Sequence, residues 1–322
     1  MLDANTGWGL NGPLVLRTTD GGTTWYDVTP RAAGASIIGT DFSDAGHGWL
    51  ATVANEAGPL TIYRTADGGK SWAKTTTNLT TMGAQVRFVD ATHGWILVNQ
   101  GVAAGSEGVV LLRTLDGGAS WTVVNQTAPQ NPAPGQIPFG GGKTGFAFSD
   151  DKHGWLTGYQ PVEGHAYLFA TGDGGATWQP ADLKLPKDYA HSWLSTQSPL
   201  FFSATDGLLP VVFGEQGQPT VFYVTHDGGK TWAPGAPVVS PGNNSFLWSF
   251  ADVKHGFATD GDHLFATADG GASWTEVRTD RTLAGTTQLW FVSDQVGWAA
   301  SDTVLLKTTD GGKTWAIVKP GK

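Results

Sequence analysis

Cysteine is absent from the 322 residues. That excludes disulfides, thiolate catalysis and cysteine-ligated metal. Charge is scarce, at 15% of residues, and 19 cations face 28 anions for a net charge of −9. A phosphate-binding surface shows itself as an excess of Lys and Arg, so nucleic acid is not an expected partner. No apolar run reaches the roughly 20 residues of a membrane-spanning helix. Met1-Leu2-Asp3 opens no signal-peptide pattern. What the chain has in quantity is glycine, 46 residues, and tryptophan, 15, and the two recur together at regular spacing.

The octet Thr18 to Trp25 reads TTDGGTTW and returns six times with only its filler residues changed, from Thr65, Thr114, Thr171, Thr225, Thr267 and Thr308. Its aspartates are Asp20, Asp67, Asp116, Asp173, Asp227, Asp269 and Asp310. An Asp side chain accepts N–H groups a residue or two further on, two glycines admit positive φ, and a Ser or Thr adds a second bond. The octet therefore predicts a tight hairpin turn, with the Trp starting the return strand as a large apolar body. A short apolar or β-branched run precedes each copy, at 14–16, 61–63, 110–112, 167–169, 221–223, 263–265 and 304–306, and reads as a strand.

A second phrase precedes the octet: Phe42 to Trp49, Phe88 to Trp95, Phe148 to Trp155 and Phe250 to Phe257, with looser copies at 201–208 and 291–298. It predicts a strand ending at the Phe, an Asp-x-x-His-Gly turn and a strand beginning at the aromatic. Each unit then has four strands, and both stereotyped turns lie on one face. The variable loops fall on the other face.

The octet resembles the Asp-box, or BNR, repeat, Ser/Thr-x-Asp-x-Gly-x-Ser/Thr-Trp, and all seven copies fit it. Seven copies in 322 residues give about 46 residues per unit, the span of one four-stranded propeller blade. The expected fold is all-β: one seven-bladed β-propeller with blades at 1–30, 31–78, 79–128, 129–183, 184–238, 239–279 and 280–322. The first phrase begins only at Asp3, so blade one is expected to lack its innermost strand, with the chain extending upstream and any signal or anchor lying there. Box spacings of 47, 49, 57, 54, 42 and 41 residues place insertions at 125–143 and 181–197.

Seven boxes with the Gly-Trp phrase look like the photosystem II assembly and stability factor family. That resemblance implies a non-enzymatic scaffold that binds a protein or peptide, outside the cytoplasm of a bacterium. The missing cysteine and the analogy carry the location, and a monomer is expected. The family is associated with an arginine-rich surface. Here Arg17, Arg64, Arg113 and Lys307 share one register before the box and would form an arc; alternatively each snorkels along its own blade or pairs with an acid. A second candidate is the loop with Tyr189, His191 and Trp193, either exposed for a partner or folded back on the core.

Asp-box propellers also include sialidases and xyloglucan-active hydrolases. The sialidase resemblance implies a Phe-Arg-Ile-Pro phrase, absent here, and the glucan hydrolases pair two propellers. Carbohydrate binding or glycoside hydrolysis on the variable face stays as the alternative, with Glu163, Asp182 and Asp188 as candidate acids. Each box offers one carboxylate, too few for calcium, and His47, His93, His153 and His255 belong to different blades and cannot converge on a metal. No cofactor is expected; a quinoprotein propeller has a longer Asp-to-Trp spacing.

Overall fold

The computed structural model describes residues 1–31, 36–55, 58–130, 132–214, 219–241 and 245–319. Strand follows strand almost without interruption. The first sheet holds β1 (Gly7–Asn11), β2 (Leu14–Thr18) and β3 (Tyr26–Asp27). The second holds β4 (Ser36–Asp41), β5 (Gly48–Val53), β6 (Pro59–Thr65) and β7 (Ala73–Thr80). The third holds β8 (Gly83–Phe88), β9 (Gly94–Ala103), β10 (Ser106–Thr114) and β11 (Thr122–Gln126).

Next comes a nine-stranded sheet. It contains β12 (Gly142–Phe148), β13 (Gly154–Tyr159), β14 (Tyr167–Thr171) and β15 (Gln179–Pro180), then β16 (Leu194–Thr196), β17 (Leu200–Phe201), β18 (Gly207–Phe213), β19 (Thr220–Thr225) and β20 (Ala233–Val238). Two four-stranded sheets close the chain. They are β21 (Leu247–Phe250), β22 (Gly256–Thr259), β23 (Leu264–Thr267) and β24 (Thr275–Val277), and then β25 (Gln288–Phe291), β26 (Gly297–Ala300), β27 (Leu305–Thr308) and β28 (Ala316–Ile317).

All pairings between named strands are antiparallel, each formed with its sequence neighbour except where β16 intervenes. First strands of successive sheets contact one another, β4 with β8, β8 with β12 and β21 with β25, so they are the innermost strands. The first sheet has only three strands among the described residues.

The segment 181–197, expected as a variable loop, departs from that reading. It forms a short 3-10 turn at Lys187–Tyr189 and then β16, whose Leu194 and Thr196 are buried while Ser195 pairs with Tyr159 of β13. Alternation over three residues is enough to seat a strand between two sheets, and too short to read as one. The other insertion is pinned rather than free. Asn125 donates to the carbonyls of Gly135 and Ala176 at 3.0 and 2.8 Å, and Ile137 is fully buried.

Both stereotyped turns do share a face. The first glycine of each box donates its N–H to the other turn of its own unit, as from Gly68 to Gly46 at 2.9 Å, Gly117 to Thr92 at 2.8 Å and Gly174 to Lys152 at 2.8 Å. Inside the box the wiring differs from expectation. In the third copy the Thr114 hydroxyl donates to Asp116 Oδ1 at 2.8 Å and accepts the Gly118 N–H at 2.8 Å. That hydroxyl takes the near amide, so the carboxylate reaches four residues on, accepting the Ser120 N–H at 2.9 Å and its hydroxyl at 2.6 Å. These bonds to the charged form hold the Asp116 carboxyl down at about 2.

Asp41, at the end of the inner strand β4, is the opposite case. Burial raises its carboxyl to about 6, against the pull of Arg87 and the Phe88 N–H, which it accepts at 2.5 Å. A folded pKa above the unfolded 3.8 means the ionised group opposes folding: its full contribution is present below 3.8 and is lost as pH rises through 6. Asp41→Asn is therefore expected to raise stability by about 1–2 kcal/mol at pH 7.5, the roughly 3 kcal/mol of the shift being offset by a weaker bond to Phe88. At pH 3.5 the gain should vanish. Urea denaturation at both pH values checks this, and an equal gain at pH 3.5 would remove burial of charge as its cause.

Candidate functional site

The sheets are joined by aromatic contacts that use both repeated phrases. The aromatic that opens the second strand of one unit stacks on the Phe that closes the first strand of the next: Trp49 on Phe88 at 3.5 Å, Trp95 on Phe148 at 3.7 Å, Phe257 on Phe291 at 3.5 Å. The indole N–H then donates to the next unit's box. Trp49 reaches Gly117 O at 2.8 Å and Trp95 reaches Gly174 O at 2.9 Å. Trp298 of the last sheet reaches Gly21 O of the first at 3.0 Å, so the ends of the chain meet.

The four candidate cations belong to these same contacts. Each stands cross-strand from a Trp: Arg17 from Trp8, Arg64 from Trp49, Arg113 from Trp95 and Lys307 from Trp298. Three lie over that ring, at 4.6 Å for Arg17, 5.5 Å for Arg113 and 4.9 Å for Lys307. Arg64, Arg113 and Lys307 also donate to the next sheet, to Gly118 O at 3.0 Å, Asp151 O at 2.8 Å and Ala4 O at 3.2 Å. All four are half-buried between sheets. The contact to the next sheet is an addition to the alternatives read from the sequence, a free arc, snorkelling along the own blade or pairing with an acid.

The four histidines likewise serve their own turns. His47, His93, His153 and His255 each set Nδ1 against the Asp three residues earlier at 2.8–2.9 Å. Among the described residues no group of three or more His, Asp or Glu could hold a metal ion.

On the loop face the three aromatic candidates separate. Tyr189 turns inward and stacks on Phe213 at 4.8 Å. His191 is exposed, and Trp193 is 49% exposed. The backbone beneath Trp193 is held: its carbonyl accepts the Gly214 N–H at 2.6 Å, and Ser192 O accepts from Gly164 at 2.9 Å. That second bond brings loop 160–165, with exposed Val162 and Glu163, against the Trp193 loop.

Further apolar residues extend this surface. Tyr159, opposite Ser195, is exposed, and it shares a cavity of about 270 Å³ with exposed Val102. Met82, 76% exposed, lies beside Gly101, where a Cβ would be 3.5 Å from its sulfur. Met82, Val102, Tyr159, Val162 and Trp193 thus run along the loop ends of the third sheet and the nine-stranded sheet. Sequence reasoning singled out only the last of these. The available signal was a large apolar residue at the loop end of a strand whose other apolar residues already point inward.

Beneath this ridge the chain is fixed by an internal charge. Lys143 donates to the carbonyls of Glu107, Phe139, Gly140 and Gly141 at 3.0–3.3 Å, and Glu107 accepts the Lys143 N–H at 2.5 Å and the Asn99 amide. Burial lowers the ammonium to about 8, with Glu107 opposing. Glu163, Asp182 and Asp188, the candidate acids, are each exposed to solvent.

A family model described as Photosynthesis system II assembly factor YCF48 matches residues 136–236. The structure titled YCF48 bound to D1 peptide superposes with a TM-score of 0.62 at 18% identity, over 96% of this chain and 91% of that one. The chain is an Asp-box β-propeller. As a propeller it resembles the photosystem II assembly factor, and YCF48 from Cyanidioschyzon merolae agrees, with a TM-score of 0.57, 17% identity and coverage of 96% and 92%. The Photosystem II assembly lipoprotein Ycf48 of Synechococcus sp. (strain CC9902) is 27% identical to the propeller over 135 residues, 42% of this chain but only 36% of that relative's length. The GH74 xyloglucanase of Xanthomonas campestris shares the propeller fold, with a TM-score of 0.64 at 14% identity, over 99% of this chain and 53% of that one. At these identities the solved structures speak to fold alone.

Proposed function

We propose that this propeller is a non-catalytic binding protein that holds a protein segment on its loop face. The observation that carries the reading is the exposed run Met82, Val102, Tyr159, Val162 and Trp193 on one face, above a backbone held by hydrogen bonds. Flat amphipathic aromatics on a rigid base suit protein recognition, since little conformational freedom is lost on contact. The rim carries Glu163, Lys187, Asp188 and His191, which would set register. One relative is named as bound to a D1 peptide, and a peptide segment is the partner class carried over here. We count seven blades, taking β12–β15 and β17–β20 as two blades that β16 joins, within one domain over 1–322. A cell-envelope location is carried over from the relative named a lipoprotein.

In this reading the arc of Arg17, Arg64, Arg113 and Lys307 acts between blades, and Tyr189 supports the loop from below. Partner contact falls to Trp193, His191 and the apolar run. Glycoside hydrolysis is the weaker reading, since no observation brings two of its candidate acids together.

Photo-crosslinking tests the site. A benzophenone at position 193 should give a discrete protein adduct in the native host's envelope fraction, and Tyr159→Ala should reduce it at least fivefold. The same probe at exposed Leu115, on the box face, should give none. Equal adducts from both positions, or xyloglucan oligosaccharide turnover lost in Trp193→Ala, would overturn the reading.

A further inference from the structure

The seam between the sheet β21 to β24 and the sheet β25 to β28 lacks two donors that serve its counterparts. Ala266, opposite Phe257, holds the register position of Arg17, Arg64, Arg113 and Lys307. Phe257 in turn has no ring N–H to match those that Trp49, Trp95 and Trp298 send to the next sheet. In their place is a cavity of about 460 Å³ on the box face, whose walls include Phe257, Ala266, Asp269, Asp294, Asp310 and Gly311.

The acceptors that those donors would use remain. Turn bonds fix the correspondence: Gly174 donates to Lys152 O and Gly311 to Gln295 O, so Asp294 matches Asp151, the acceptor of Arg113. The surroundings of the two glycines match as well. A Cβ at Gly174 would lie 2.9 Å from Asp151 O and 2.4 Å from Arg113 Nη1. One at Gly311 would lie 3.0 Å from Asp294 O, and its other close neighbour among the described residues is Gln295 Nε2 at 4.0 Å. Gly311 O corresponds to Gly117 O and Gly174 O, each of which accepts an indole N–H. Among the described residues no donor reaches Asp294 O or Gly311 O.

Two further seams also have no cation in this register, and their own side chains fill the space. Trp155 lies over Gly229, and Val224 comes within 3.2 Å of a Cβ at Gly270. Phe257 instead stacks on Phe291 at 3.5 Å and leaves the space beside Gly311 open. Charge favours a cation there. The carboxylates of Asp269, Asp294 and Asp310 border the cavity, against Lys313, which is exposed, and His255, whose Nδ1 faces Asp252 at 2.8 Å.

We propose that this seam receives one arginine side chain of a partner polypeptide, its guanidinium taking at Asp294 O the place that Arg113 takes at Asp151 O. The chain thus carries its own precedent for the contact, in the seam between the third sheet and the nine-stranded sheet. A guanidinium holds five donors in a planar fork, which suits a slot with more than one carbonyl free. An arginine within a polypeptide fits better than the free amino acid, whose α-carboxylate would meet the bordering aspartates. The site lies on the box face and is independent of the loop-face reading.

The test titrates the isotope-labelled 322-residue chain with acetyl-Gly-Arg-Gly-amide at low salt and follows backbone amide resonances. Those of Gln295 and Gly311 should shift saturably. Acetyl-Gly-citrulline-Gly-amide, of the same shape without the charge, should bind at least tenfold more weakly. Ala266→Arg, which supplies the side chain from within, should abolish the shift and raise the melting temperature. Asp294→Asn keeps the carbonyl and should weaken binding about threefold, as for loss of one solvent-screened charge. Trp193→Ala should leave binding unchanged, which separates this seam from the loop face. Equal shifts with the citrulline peptide, shifts that persist in Ala266→Arg, or no saturable shift at millimolar peptide overturn the proposal, as do shifts at Gly311 that appear without peptide in step with self-association.

Discussion

Trp298→Ala is expected to cost about 3–5 kcal/mol in urea denaturation, as for deletion of a large buried ring, and to lower the melting temperature by about 6 °C at this chain length. Trp298 is fully buried and is the group that ties the last sheet to the first. Its loss leaves Gly21 O without its donor and Lys307 without the ring beneath its ammonium. Location matters as much as magnitude. Other seams have paired inner strands, such as β4 against β8 and β21 against β25, whereas among the described residues the first sheet has three strands and offers no such pair at this seam. Removing the indole should therefore open the seam locally. Amides of β1, β2, β26 and β27 should exchange faster relative to those of β9 and β10. Trp95→Ala, which keeps its inner strands, should lower global stability without that local signature. Uniform loss of protection in both variants would refute the weak-seam account, and Trp193→Ala should stay within about 0.5 kcal/mol of the parent.

The repeat made the architecture readable because each position in it does one mechanical task. Asp, Gly-Gly and Ser/Thr state a turn, and Trp states a packing contact. The shared face of the two turns followed from strand count, and the Gly68 and Gly117 bonds realise it. The cations were harder to read because their partners lie one sheet away, across 38 residues for Arg113 and Asp151. Yet a signal was present. A cation occurs opposite each Trp at 8, 49, 95 and 298, while Trp155 faces Ala170, Leu208 faces Val224 and Phe257 faces Ala266. The loop-face ridge left less trace. Met82 is a single apolar residue in a turn and Val102 stands near the end of β9, and such exposed residues are common on any surface. Only folding brings them beside Tyr159. Strand β16 was hidden for a related reason: its three residues acquire a partner on each side only when β13 and β18 are already in place.

Octets of one pattern do not carry identical energies, and Gly229→Ala should expose the difference. Gly229 has φ +77°, a left-handed conformation that costs an L-residue about 1–2 kcal/mol. Its neighbour adds more. A Cβ there would lie 2.2 Å from Trp155 Cζ2 and 2.6 Å from Cε2. Trp155 cannot easily yield, since it is buried, stacked on Phe201 at 4.6 Å and edge-on to Trp232 at 6.2 Å. At the same octet position Gly118 differs: a Cβ would sit 3.4 Å from Trp49, whose indole is held aside by its bond to Gly117 O. Trp155 makes no such bond, its N–H being buried without a partner, and the ring lies over the glycine instead. Gly229→Ala is thus expected to cost about 4–5 kcal/mol, combining backbone strain with overpacking, and Gly118→Ala about 2 kcal/mol less. Gly12→Ala supplies the baseline, with φ +56° and nothing within 4 Å of a Cβ, at about 1 kcal/mol. Should Gly229 and Gly118 variants denature at the same urea concentration, the Trp155 ring must be free to move, and the octets would be energetically equivalent after all.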